Sequence, residues 1–299
     1  MFEIPPIQVI RRACLENAKF SIVLPSWNNL TFLKCCIESI QKNSRYTHQL
    51  IVHVNEGTDG TLEWIKESSY AATYSASNAG VCASVNAAAS LAQTDYILYL
   101  NDDMYVCPDW DYYLLQEVQA RKDDLFYFSS TMIEAAPSSS KAVRSPHDFG
   151  NHPDNFRAHE LQNWIKNNPG SDWYGSCWPP SLVSTRLWRQ LGGYDERFSP
   201  GFYSDPDFGM KLWQAGVRDF RGIGNSLVYH FRSKSTGRVV RNPGRKQFAQ
   251  KWGIPSSFFY KAFLKMGEPA QAGMELREPH VLSQIFPSLR AFWIARFGD

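Results

Sequence analysis

Tyr96-Ile97-Leu98-Tyr99-Leu100-Asn101-Asp102-Asp103 is an apolar run that breaks directly into two carboxylates. Five consecutive apolar residues with polar neighbours fit a strand buried on both faces, as in parallel sheets. Ligands gather beyond the carboxyl ends of strands in open α/β sheets, so an acidic loop there is a candidate site on topology alone. Adjacent carboxylates at the end of a buried strand repel each other and lose solvation, and a bound cation is the usual compensation. Hard oxygen donors favour a divalent cation, Mg or Mn, that keeps waters and shares positions with phosphate oxygens. A solvated turn is the alternative reading of the same triplet.

Outward from this strand, apolar runs alternate with stretches of helical periodicity, the pattern of βαβ units. Phe20 to Leu24 reads as a strand stopped by Pro25, and Leu30 to Lys42 as a helix with Leu33, Ile37 and Ile40 on one face. Gln49 to Val54 predicts a strand, Thr61 to Glu67 a helix capped by Thr58 or Asp59, and Ala72 to Ala76 a short strand. Val81 to Ala92 is an Ala-rich helix, and a helix over Asp109 to Ala120 and a strand over Leu125 to Ser129 follow. Ala135 to Asn155 has no periodicity and is expected to be a long loop, read as a lid over a ligand. Asp205 to Ala215 predicts a helix, with closing strands over Val217 to Phe220 and Ser226 to His230.

The bulk properties are those of an ordinary globular protein. Lys plus Arg number 31 against 29 Asp plus Glu, so a net charge of +2 sets up no field that argues for nucleic acid as a partner. The 10 Trp suit either an aromatic core or surfaces that stack on sugar rings. The 6 Cys show no C-x-x-C pair or zinc spacing and read as reduced thiols. The start lacks a basic segment followed by an apolar run, and no stretch of about 18 apolar residues occurs. The expected location is cytoplasmic, with peripheral attachment to a membrane left open.

Two further constellations carry chemistry. Tyr203-Ser204-Asp205-Pro206-Asp207 opens a helix, where Pro206 suits the first turn and carboxylates suit the positive end of the dipole. Capping employs one carboxylate and leaves the other for acid–base work. His230 ends a strand and leads into Phe231-Arg232-Ser233-Lys234-Ser235-Thr236-Gly237-Arg238, whose basic and hydroxyl donors suit a diphosphate, or else form a solvated face.

The order of these pieces resembles the family-2 glycosyltransferases of GT-A fold. The residues that carry the resemblance are Ile22-Val23-Leu24-Pro25-Ser26-Trp27-Asn28, Val54-Asn55-Glu56-Gly57-Thr58-Asp59-Gly60-Thr61, Asn78-Ala79-Gly80, Leu100-Asn101-Asp102-Asp103, Ser204-Asp205-Pro206-Asp207 and His230. The likeness spans about residues 19 to 253. It implies an α/β chain with a Rossmann-like, mostly parallel sheet flanked by helices and a smaller acceptor-side subregion. It places Pro25, Asn28, Asn55, Glu56, Asn78, Gly80, Asn101 and Asp102 around the donor nucleotide, with Glu56 accepting from the base. Asp103 falls on the metal ligand and His230 on a residue contacting metal or diphosphate, with Arg232, Lys234 and Ser235 on the diphosphate. Asp205 matches the general base, and Gly175, Trp178 and Asp207 fall on the acceptor side. Departures are Asn55-Glu56 for the commoner Asp-Asp, Asn101 for the first Asp of the triplet, and Ser204 for the usual Glu.

The implied activity is inverting transfer of a sugar from a nucleotide-diphosphate sugar to a hydroxyl of a saccharide, lipid-linked or protein acceptor. The alternatives are a nucleotidyltransferase, whose Gly-rich phosphate loop Pro25-Ser26-Trp27-Asn28 does not provide, and a nucleotide-sugar-binding protein without turnover. The expected organisation is an N-terminal extension over 1–18, a nucleotide-sugar half over 19–130, an acceptor and catalytic half over 131–253, and a helical tail over 254–299. In that tail, 281–297 has partial helical spacing of apolar residues alongside Arg290 and Arg296. Packing on the main domain or a second subunit is the expectation there, with membrane contact as the alternative.

Overall fold

Alternation of side chains across one central sheet organises the molecule. In the computed structural model, which describes residues 3–233, 242–271 and 273–298, the strands run in the order β1-β4-β3-β2-β5-β10-β7-β11-β6, with β8 added to β7 and β9 to β11. These are β1 (Ile7–Ile10), β2 (Phe20–Trp27), β3 (Gln49–Asn55), β4 (Ala71–Ser75), β5 (Tyr96–Tyr99), β6 (Met104–Val106), β7 (Phe126–Ile133), β8 (Val143–Arg144), β9 (Trp173–Tyr174), β10 (Ser181–Ser184) and β11 (Asp219–His230). β2, β3, β4 and β5 pair in parallel, whereas β10 joins β5 to β7 by antiparallel ladders. The sheet is therefore mixed, parallel where the sequence shows βαβ units and largely antiparallel beyond them.

The helices are α1 (Leu30–Asn43), α2 (Thr61–Glu67), α3 (Gly80–Ala89), α4 (Trp110–Gln119), α5 (Ala158–Asn167), α6 (Thr185–Leu191), α7 (Ser204–Gln214), α8 (Gly244–Trp252), a short turn α9 (Ser256–Phe258) and α10 (Val281–Phe297). Val23, Ile51, Ile97 and Tyr99 point to one face of the sheet, against α3, α6 and α7. Ile22, Leu24, Val52, Leu98 and Leu100 point to the other, against α1 and α4. This period-two division sandwiches the sheet between two helical layers.

Several expectations change. β2 runs through Pro25 to Trp27, pairing Pro25 with His53 and Trp27 with Asn55, because the fixed φ of proline is compatible with extended backbone and only one donor is lost. Within the expected N-terminal extension, β1 pairs antiparallel with β4. Asp219–His230 forms one long strand with an irregularity between Ile223 and Leu227. Three helices, α5, α6 and α8, have no counterpart in the sequence reading. α5 buries only Leu161, and the short α6 is announced by its cap, where Ser184 accepts from the Leu187 N–H. Within the expected tail, Ile254, Phe259, Phe263, Leu264 and Leu276 join the main core.

The stretch 135–155 is fastened to the sheet. β8 pairs with β7, His147 N donates to Glu134 O, and the Tyr229 hydroxyl donates to Gly150 O at 2.6 Å. None of its residues borders the cleft described next.

Candidate active site

A cleft of about 750 Å³ opens at the carboxyl ends of β2, β3 and β5, where the reversal of strand order between β2 and β5 opens a crevice. Its wall takes Pro25, Ser26 and Trp27 from β2 and Asn55 from β3. Asn78, Gly80 and Val81 come from the start of α3, and Asn101, Asp102 and Asp103 from the loop after β5. His230, Arg232 and Ser233 complete it beyond β11. Asn28 and Glu56 stand outside that wall and bind each other, with Asn28 Nδ2 donating to Glu56 Oε2 at 2.9 Å. Asn28 Oδ1 also accepts from Thr58 N, so the loops after β2 and β3 are clipped together.

Asn55 is 4% exposed and serves as a hub. Its Oδ1 accepts from Ala79 N at 2.8 Å, and its Nδ2 donates to Ser84 Oγ at 3.0 Å. An amide of the same length thus fixes the Asn78-Ala79-Gly80 turn where the commoner carboxylate is missing. Asn78 Oδ1 accepts from Gly80 N, and Gly80 has φ +73°. On the opposite lip, Val81 N donates to Pro200 O at 2.8 Å, and a Cβ on Gly201 would lie 2.3 Å from a Val81 methyl. The loop before α7 therefore closes onto α3 only because Gly201 has no side chain.

Register builds the acidic cluster. β6 follows Asp103 immediately and pairs antiparallel with β11, setting Met104 opposite His230. β7 pairs in parallel with β11, setting Ile133 beside Tyr229 and hence Glu134 beside His230. Asp103 Oδ1 lies 3.5 Å from His230 Nε2, and its Oδ2 accepts from Ser233 N at 2.8 Å. His230 Nδ1 lies 2.8 Å from Glu134 Oε1, and Arg232 is 3.5 Å from the other oxygen of Glu134. Burial works against the charged imidazole, but the bonds to Asp103 and Glu134 outweigh it and raise His230 to about 9. Burial likewise works against the Asp103 carboxylate, and His230 with Ser233 still holds it below the ordinary value.

Asp102 and Asp103 are 7% and 5% exposed, and both border the cleft with His230. Hard oxygens with one imidazole fit a small divalent cation. Among the described residues no three His, Cys, Asp or Glu side chains converge into a metal cage. A cation that keeps waters and takes phosphate oxygens needs none. The donor set fits.

Asp205 lies in the first turn of α7, where Tyr194 Oη donates to its Oδ1 at 3.0 Å. Burial pushes the Asp205 carboxyl up to about 7, against that hydrogen bond. Tyr194 packs edge-on to Tyr99, which borders the cleft, and Cys177 Sγ reaches Asp205 O at 3.3 Å. Asp207, two residues along, is fully buried. It pairs with Lys251 at 2.7 Å and accepts from the Trp252 indole at 2.7 Å. Contrary to its acceptor-side expectation, it holds α7 to α8. Gly175 sits beneath Met266, and Trp178 stacks on Trp173 at 5.9 Å; neither borders the cleft. Lys234 and Ser235 lie outside the described residues.

Sequence reasoning missed Glu134 and the role of Tyr194. Glu134 follows only Met132-Ile133, because Ser129, Ser130 and Thr131 interrupt the apolar run, and the strand was expected to stop at Ser129.

The family model "Glycosyl transferase family 2" matches residues 21–175, more than half of the chain. The chain belongs to glycosyl transferase family 2. Solved structures show that its fold is the GT-A fold. S. aureus TarS 1-349 in complex with UDP-GlcNAc superposes with a TM-score of 0.50 at 14% identity, covering 78% of this chain and 64% of that one. GalNAc-T7 with UDP, GalNAc and Mn2+ gives 0.57 at 13% identity, covering 83% and 50%. This family 2 chain thus spans less than two thirds of the length of either structure. No curated protein sequence matches it.

Proposed function

We propose that this chain transfers a sugar from a nucleotide-diphosphate sugar to an acceptor hydroxyl with inversion. The observation that carries the reading is the pairing of two opposite environments across one fold. Asp103 is held ionised beside His230, while Asp205 is held near neutrality beside Tyr194. A carboxylate kept charged suits a cation, and one titrating near 7 suits proton transfer at working pH. The complexes of TarS with UDP-GlcNAc and of GalNAc-T7 with UDP and Mn2+ make a uridine diphosphate sugar the first donor to test.

The residues divide the work. Pro25, Trp27 and Asn55 wall the nucleoside end, and the Asn78 to Val81 turn borders the diphosphate path. Asp102 and Asp103, with His230 Nε2 once it is deprotonated, would hold the divalent cation, which would neutralise charge on the departing diphosphate. Glu134 accepts a hydrogen bond from His230 Nδ1–H and so turns Nε2 toward Asp103. Arg232 and Ser233 add donors at the same end. Asp205 accepts the proton of the attacking hydroxyl, worth about a hundredfold to ten-thousandfold in rate.

The test is Asp205→Asn assayed with UDP-sugars and Mn2+. Loss of transfer with donor binding intact supports the reading. Equal product formation by parent and variant contradicts it, and binding without turnover in both would identify a nucleotide-sugar-binding protein.

A further inference from the structure

α10 is packed the wrong way round for a core helix. Its buried or half-buried positions are Gln284, Pro287, Ala291, Ile294 and Ala295, a narrow seam of mostly small residues resting on α8. Ala291 and Ile294 meet Ala249 there, and Gln250 Nε2 donates to Ala295 O at 3.1 Å. The bulky residues face away: Leu282 is 67% exposed, Phe286 80%, Phe292 64% and Trp293 65%, with Ile285 and Leu289 between them. At about 100° per residue these positions form one unbroken stripe opposite the seam. A contiguous outward stripe of this kind marks an interaction surface.

The charges choose the occupant. Arg290 and Arg296 are the only charged residues in α10, and no acid accompanies them on the helix. Arg296 falls inside the stripe, one turn beyond Phe292 and Trp293. Two copies paired through this face would bury two guanidinium groups with no acid from either α10 to meet them. On a bilayer, each guanidinium reaches back to a lipid phosphate while the aromatic rings settle at the headgroup level. The helix is about 25 Å long, less than the roughly 30 Å of a hydrocarbon core, and no described helix is long and apolar enough to cross a membrane.

We propose that α10 lies flat on an anionic lipid surface, its stripe sunk into the headgroup boundary. The platform beneath it leads to the catalytic half. α8 begins at Gly244 against Phe202 and Tyr203 and holds α7 through Lys251 and Asp207. On the proposed transfer reading, the bilayer then lies on the Asp205 side and presents an acceptor carried by a lipid.

The test is flotation of the whole chain with vesicles of phosphatidylcholine alone and of equal parts phosphatidylcholine and phosphatidylglycerol. The expected result is binding that favours the anionic vesicles and falls about tenfold in Phe286→Glu/Trp293→Glu. That double variant keeps its melting temperature and its stabilisation by UDP-GlcNAc with Mn2+, since both side chains are exposed. Failure of the parent to float, equal flotation of the variant, or a concentration-dependent dimer that the variant abolishes without vesicle binding would overturn the proposal. Loss of donor stabilisation in the parent would instead count against the transferase reading and leave flotation to decide this one.

Discussion

His230 Nδ1 stands 2.8 Å from Glu134 Oε1, so the imidazole reaches Asp103 with its other nitrogen. A carboxylate behind a ligating histidine fixes the ring and raises its basicity. Glu134→Gln is therefore expected to weaken Mn2+ affinity by about tenfold to a hundredfold. The shift in metal concentration needed for donor-dependent thermal stabilisation measures it. The same variant lowers the pKa of His230 from about 9, as NMR titration of the ring would record.

Catalysis is expected to switch on with pH as Asp205 loses its proton. With its carboxyl near 7, kcat rises through neutrality and levels above it. Tyr194→Phe removes the hydrogen bond that stabilises the carboxylate and moves this midpoint to higher pH. A pH–rate profile of the two proteins, with KM reported separately, checks the direction.

Asp205 also carries a stability cost of known sign. Its folded pKa exceeds the ordinary carboxyl value, so between about 4 and about 7 the native state binds more protons than the unfolded state, and stability falls as pH rises. Asp205→Asn removes the titration. The variant is expected to melt higher than the parent at pH 8 and to lose that advantage at pH 4, measured by differential scanning calorimetry.

Asp207 behaves as a structural charge. Asp207→Ala leaves Lys251 with Asp195 alone and strips the Trp252 indole of its acceptor. A loss of about 3 kcal/mol is expected for breaking a buried pair, read from urea unfolding, with donor affinity unchanged.

The sequence exposed those parts of the fold that local chemistry dictates. The apolar run ending in Asp102-Asp103, the periodicity of α1 and the turn before α2 each lie within one short stretch of sequence. What stayed hidden depends on long-range register. Glu134 meets His230 because β7 and β11 pair in parallel, and no local pattern announces a partnership 96 residues apart. Asp205 and Asp207 look interchangeable in sequence. Only the position of α8 shows that Lys251 and Trp252 claim the second. α5 escaped because a helix that buries one leucine has almost no apolar period to read.

The most direct measurement is calorimetric titration of UDP-GlcNAc into the parent and Asp103→Asn, each with Mn2+ and with EDTA. The account predicts binding by the parent that weakens at least about tenfold on chelation and by a similar factor in the variant, where Mn2+ no longer helps. Binding of equal strength in all four titrations would contradict it.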